Sequence, residues 1–167
     1  MAERPEFADF VASRSPALLR TARLLTGDWA SAEDLLQDAL ATCWRRWSRI
    51  SGNPEPYVHR VMVTTYLAWS RRFWNRERPT EVLPERPVAD ATGQVDAEAE
   101  LAAALRRLPR RQRAVVVLRY YDDLSEAETA AVLGISVGTV KSQTSKALRA
   151  LRVDDGLTAD RARTEVR

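Results

Sequence analysis

The stretch from Leu118 to Leu151, LRYYDDLSEAETAAVLGISVGTVKSQTSKALRAL, restricts this 167-residue chain more than any other feature. Ser125 followed three residues later by Glu128 is a capping box, so a helix should begin at about Glu126. Ala127, Ala130, Ala131 and Leu133 give that helix a small-residue face, and Gly134 is the expected left-handed residue just past its end. Ser136 can cap a second helix from about Val137, in which Val137, Val140, Thr144, Ala147 and Leu151 fall on one stripe. The opposite stripe carries Lys141, Ser142, Gln143, Ser145, Lys146 and Arg149. Two helices joined this tightly, with Ala130, Ala131 and Gly134 allowing close approach, form a helix-turn-helix whose second helix can enter a major groove.

The side chains suit that use. From Ser136 to Arg152 the chain carries +4 from Lys141, Lys146, Arg149 and Arg152, with no acid among them. Lys can donate to guanine O6 and N7, Gln can pair with adenine in bidentate fashion, and Ser suits base or phosphate. A basic solvated face on an amphipathic helix pair is the plainer alternative. Caps, turn, small residues and polar stripe all agree on DNA instead.

Other classes are disfavoured by composition. No apolar run approaches the ~20 residues of a membrane span, and MAERPEFADF lacks a basic-then-apolar signal, so a cytoplasmic protein is expected. Cys43 and His59 are each the sole residue of their kind, so neither an internal disulfide nor a Cys/His zinc site is expected. Glu33, Asp34 and Asp38 crowd one helix without a nearby base or nucleophile, a poor catalytic set. The reading is of a protein that is not an enzyme and needs no cofactor, metal or small-molecule substrate.

Taken in order, the chain is all-α. Pro5 suits a helix start, with Phe7, Phe10 and Val11 as a buried stripe; Ser15-Pro16 restarts the pattern with Leu18, Leu19, Ala22 and Leu25 until Gly27. Ser31 with Asp34 reads as the cap of a helix burying Leu35, Leu36, Ala39, Leu40, Cys43, Trp44 and Trp47. After Ser51 to Pro54, a long helix should run from about Pro56 to Asn75. Asp28, Glu33, Asp34 and Asp38 make Gly27 to Trp44 acidic at −4, whereas Arg60, Arg71, Arg72, Arg76 and Arg78 against Glu77 give +4 from Arg60 to Arg78. Tyr57, Tyr66, Trp69, Phe73 and Trp74 are interleaved with those arginines, a pattern that can hold phosphates while stacking on unpaired bases; Trp44, Trp47 and Trp69 are read as core. His59 on this helix is read as a phosphate or surface contact, or as a core residue, rather than as a switch.

A linker then separates two domains. Residues 77–100 hold Pro79, Pro84 and Pro87 and a net charge of −5, too polar to fold alone. The expected organisation is a helical domain at 5–76, a flexible acidic linker at 77–96, a helix-turn-helix domain at 97–152 and a disordered tail at 153–167. The second domain opens with a helix through Leu101 and Leu105, then Leu108-Pro109, then a helix bearing Val115, Val116, Leu118 and Tyr121. From Leu101 to Tyr121 there are six Arg and no acid.

Three segments, GDWASAEDLLQDAL, PEPYVHRVMVTTYLAWSRR and LPRRQRAVVVLRYYDDLSEAETAAVLGISVGTVKSQTSKALRALR, in this order, resemble a bacterial RNA polymerase sigma factor of the extracytoplasmic-function (ECF) group, and within it the actinobacterial SigE family. The resemblance implies two small helical units, sigma domain 2 and sigma domain 4, joined by a flexible linker. It implies that Asp34, Gln37 and Asp38 dock on the clamp helices of core RNA polymerase, an acidic face on a basic partner. The long helix would read the minus-ten element and trap a base flipped from the melted non-template strand, with Arg60, Arg71 and Arg72 at phosphate-contacting positions. Thr64 stands where many relatives carry Asn, which bears on base preference. The helix-turn-helix would read the minus-thirty-five element in double-stranded promoter DNA through Lys141, Ser142, Gln143, Ser145 and Lys146, with Arg119 gripping phosphate, and would also touch the polymerase flap. An anti-sigma partner is usual for the group. The rival reading is a LuxR-like helix-turn-helix regulator whose N-terminal half serves dimerisation or sensing.

Overall fold

A computed structural model describes the backbone of residues 5–74 and 93–164, and the side chains of 6–69 and 97–152. Among the described residues the regular structure is helical throughout. Helix α1 spans Pro5–Thr26, α2 Trp29–Arg46 and α3 Glu55–Trp74; then follow α4 Gly93–Arg106, α5 Arg110–Val116, α6 Glu126–Leu133 and α7 Val137–Thr164. A single 3-10 turn, Trp47–Arg49, extends α2, and a π-helical stretch, Val117–Tyr121, extends α5. The proline-rich acidic stretch lies largely outside the described residues, apart from the start of α4.

Several local rules act as the sequence implies. Ser125 Oγ accepts from Glu128 N at 3.1 Å while Glu128 Oε2 accepts from Ser125 N at 2.7 Å, so both halves of the capping box form. Gly134 closes α6 at φ 65°, in the left-handed region. Ser136 Oγ accepts from Thr139 N at 3.1 Å and so caps α7.

Other expectations need correcting. Helix α1 does not restart at Ser15-Pro16 but runs through it. An interior proline forfeits one backbone hydrogen bond; burial on both sides offsets this, with Phe7 and Phe10 against Trp47 before it and Leu18, Ala22 and Leu25 in the core after it. The cap of α2 is Asp28, not Ser31. Its extended backbone lets Asp28 Oδ1 accept from Ser31 N at 2.7 Å, so Ser31 is a donor and Glu33 and Asp34 are left facing solvent. The tail expected to be disordered from Val153 instead continues α7 to Thr164, for no proline interrupts the run and Gly156 is the lone poor helix former of its kind there. Within the small-residue face of α6 only Ala130 is buried; Ala127 and Ala131 are exposed, as is Val137 on α7.

The larger difference concerns the two units. Helix α1 packs on α2, and α2 on α3; α5 and α6 pack on α7. Yet α4 also lies along α1, and α6 against α3, so one apolar cluster unites Leu25, Leu35, Val58 and Tyr66 with Ala102, Leu105, Leu118 and Ala147. A three-helix unit buries little surface alone, and merging the two cores removes more apolar area from water.

A charged residue sits at that junction. Arg113 is 8% exposed, and its guanidinium donates to Leu105 O, Leu25 O and Arg106 O, each at 2.8 Å. Those carbonyls end α1 and α4, where helix C-termini leave acceptors unpaired and carry partial negative charge. One planar fork thus caps two helices from different halves of the chain. Gly27, at φ 95°, lets the ends of α1 and α4 meet; a Cβ there would lie 2.8 Å from Arg106 Nε. Arg110 also places its guanidinium 5.4 Å from the centre of the Tyr66 ring.

Candidate nucleic-acid interface

Three of the helices, α2, α3 and α7, carry all the candidate residues but Arg119, which stands in the π-helical stretch after α5, and each of the three shows a buried stripe opposite an exposed one. On α2 the core takes Ala32, Leu35, Leu36, Ala39 and Cys43. That leaves Asp34, Gln37 and Asp38 exposed on the outer face, within one helical turn of each other. Trp44, seven residues beyond Gln37, is 39% exposed on that side and packs edge-on against Phe7. Trp47 is buried in the core and Trp69 packs against it as expected, whereas Trp44, read as core, stands exposed outside that cluster with Phe7 against its ring.

On α3, Arg60 and Thr64 are exposed one turn apart, opposite the buried Val58, Met62, Val63 and Tyr66. The Thr64 hydroxyl donates back to its own helix, at 2.7 Å from Arg60 O and 3.0 Å from Val61 O, which leaves oxygen lone pairs outward. Arg71 and Arg72 lie further along α3, but their side chains fall outside the described residues.

On α7, Lys141, Ser142, Ser145 and Lys146 are exposed and Gln143 is half-buried, while Val140 and Ala147 are fully buried. Arg119 is placed less freely than its expected grip on phosphate requires. Its Nη1 donates to Leu124 O at 2.6 Å, its Nη2 stands 4.0 Å from Glu126 Oε1, and its Nε is buried. Glu126 in turn reaches Lys141 Nζ at 3.8 Å.

His59 is 8% exposed, so of the readings open to it the core residue holds and the surface or phosphate contact does not. Its Nδ1 stands 3.6 Å from Asp122 Oδ2, and Asp122 Oδ1 accepts from Thr21 Oγ1 at 2.7 Å. Thr21 is on α1, His59 on α3 and Asp122 after the π-helical stretch, so this polar cluster also crosses the junction. Burial pushes the Asp122 carboxyl above the usual carboxylate range, against opposing pulls from His59 and Thr21.

Sequence reasoning did not single out Arg113, Asp122 or Glu126. For Arg113 a signal was present: it falls at i−3 and i−4 from the buried Val116 and Val117, on the apolar stripe. Asp122 and Glu126 sat among other polar residues, and only the meeting of distant segments distinguishes them.

Comparison with known proteins finds a match in each half of the chain. Residues 10–76 match the family described as "Sigma-70 region 2", and residues 98–151 match "Sigma-70, region 4". The chain is 47% identical over 154 residues to "RNA polymerase sigma-E factor" of Streptomyces coelicolor, covering 91% of this chain and 87% of the relative. The chain belongs to the sigma-70 family of RNA polymerase sigma factors. Another relative, "ECF RNA polymerase sigma factor SigM" of Mycobacterium tuberculosis, is 38% identical over 133 residues, covering 78% of this sigma factor and 67% of the relative. The fold is also similar to the sigma factor RpoE of Bartonella quintana, solved with the anti-sigma factor NepR, at TM-score 0.68 and 22% identity over 88% of this chain and 94% of that one. CnrH, solved with the cytosolic domain of CnrY, gives TM-score 0.67 and 23% identity over 95% and 92%. A LuxR-like regulator would leave the match over residues 10–76 unexplained. As a sigma factor of the ECF group the chain is an initiation factor for transcription, acting through core polymerase and promoter DNA.

Proposed function

We propose that this sigma factor divides its work among the three exposed faces described above. The acidic face of α2, with Asp34, Gln37 and Asp38, docks on the clamp helices of core polymerase. Arg60 and Thr64 on α3, with Arg71 and Arg72 further along, read and help melt the minus-ten element. Lys141, Ser142, Gln143, Ser145 and Lys146 on α7 read the minus-thirty-five element. Arg119 serves phosphate there only by loosening its hold on Leu124 and Glu126. The observation that carries this reading is the outward face of α7, where Lys141, Ser142, Ser145 and Lys146 stand exposed opposite the buried Val140 and Ala147. Among the described residues no helix is long and apolar enough to cross a membrane, and we place the protein in the cytoplasm with the polymerase. An anti-sigma partner, as NepR is to RpoE of Bartonella quintana, would bind this same chain.

Reading both elements demands a change of shape. Elements centred at minus ten and minus thirty-five lie about 25 base pairs apart, roughly 85 Å at ~3.4 Å per pair. In this structure α3 and α7 are separated by the single helix α6, and packed helix axes stand only ~8–10 Å apart. Docking on polymerase therefore parts the two units. Run-off transcription tests the function: purified core polymerase plus this chain, on DNA upstream of its own operon, should give a discrete transcript. A transcript that does not depend on the chain would contradict it.

A further inference from the structure

Glu126 occupies an unexpected place for a DNA-facing surface. It is the first residue of α6, and a helix N-terminus is a point where phosphates are attracted by free N–H groups and the helix dipole. A carboxylate there repels phosphate. The same carboxylate lies 3.8 Å from Lys141 Nζ and 4.0 Å from Arg119 Nη2, one oxygen toward each cation. Lys141 belongs to the polar stripe of α7, and its side chain is 64% exposed. Glu128, the other acid of this turn, is already engaged with Ser125 in the capping box, so Glu126 is the acid left to meet the two cations.

Sequence-independent binding to DNA grows with the number of cations that can replace condensed counterions on the phosphates. Here two cations share one acid, so the local charge offered to an arbitrary backbone is roughly halved. A base edge offering two acceptors in line with the ammonium can compete with the carboxylate; a single phosphate, repelled by it, competes less well. Discrimination is a difference between affinities, and raising the free energy of wrong complexes serves it as well as stabilising the right one.

We propose that Glu126 is a specificity-determining residue of this sigma factor, an internal counter-ion that withholds Lys141 and Arg119 from phosphate and releases Lys141 to the correct base edge. The proposal rests on α7 being the reader of the upstream element.

The test compares the full chain with Glu126→Gln, Lys141→Ala and Glu100→Gln. The last removes an equal charge from an exposed site on α4. Anisotropy on a short random-sequence duplex, over a salt series, should show Glu126→Gln binding about threefold tighter, with a log–log salt slope steeper by about one, while Glu100→Gln stays near wild type. In complex with core polymerase, selection from duplexes randomised at the upstream element should give a less sharply defined sequence with Glu126→Gln. Wild-type behaviour of Glu126→Gln in both assays, alongside weakened Lys141→Ala, would overturn the proposal and leave α7 as the reader. Equal tightening by Glu100→Gln would overturn it too, by reducing the effect to net charge. An unaltered selection and affinity for Lys141→Ala would instead remove the reading of α7 on which the proposal stands.

Discussion

Arg113 shows what a single side chain can do at a junction of helices. Its planar fork meets carbonyls at the ends of α1 and α4, of which Leu105 O also accepts from Leu108 N at 3.1 Å. Lysine keeps the charge but not the fork, so Arg113→Lys should lower stability by about 2 kcal/mol, read from chemical denaturation midpoints. Asp122 makes the opposite contribution. Burial raises its folded-state pKa above the unfolded value, with Glu55 and Asp123 adding to the rise, so its ionised form is disfavoured in the native state. That penalty is present at neutral pH and lifts as pH falls through the raised value toward the ordinary carboxylate range. Asp122→Asn keeps an acceptor for Thr21 and removes the charge; the variant should match or exceed wild-type stability at pH 7 and lack the relative gain that wild type shows on mild acidification. Equal pH dependence of the two proteins would contradict this. Such residues are hard to read in a sequence because their partners come from segments far away: Leu25 lies 88 residues from Arg113 and Thr21 101 from Asp122.

Elements were more legible, since their rules are local. The capping box of α6, the left-handed Gly134 and the Ser136 cap of α7 follow from residues within four positions of each other, and all three form. Ser125→Ala should cost about 1 kcal/mol by freeing the first N–H groups of α6, and should reduce the helix-turn-helix before the rest, as read by amide exchange in α6 and α7. Uniform exchange across α6 and α2 in that variant would argue against a local role. Hydrogen bonds from Ser125 hold the Glu128 carboxyl below the usual range, so the reciprocal cap is present above its ordinary pKa and lost as pH falls through the lowered one. Where local signals misled, a competing contact won. Ser31 resembles a cap, but Asp28 reaches its amide first. Pro16 resembles a break, but two buried stripes hold α1 together across it.

For the whole molecule, the alternation of charge announced two units and three faces, whereas their union was not readable because apolar stripes do not name their partners. The shared core around Leu25, Tyr66, Leu105 and Leu118 makes this chain one body before it meets polymerase. Opening is measurable. Ala41→Cys on α2 and Ala150→Cys on α7 are exposed labelling sites, while burial pushes the native Cys43 thiol up to about 11 and leaves it protonated and slow to react. Energy transfer between the two labels should be high in the free chain and fall when core polymerase and promoter DNA are added; an unchanged signal during active transcription would refute the parting of the units. The claim beneath all of this is that the outer face of α2 takes the polymerase while the rest of the molecule takes DNA. Co-migration of the chain with purified core polymerase tests it most directly. Wild type should co-migrate, and Asp34→Arg, folded and with its affinity for duplex DNA intact, should not. If Asp34→Arg co-migrated as well as wild type, the polymerase would be held elsewhere and the account would be wrong.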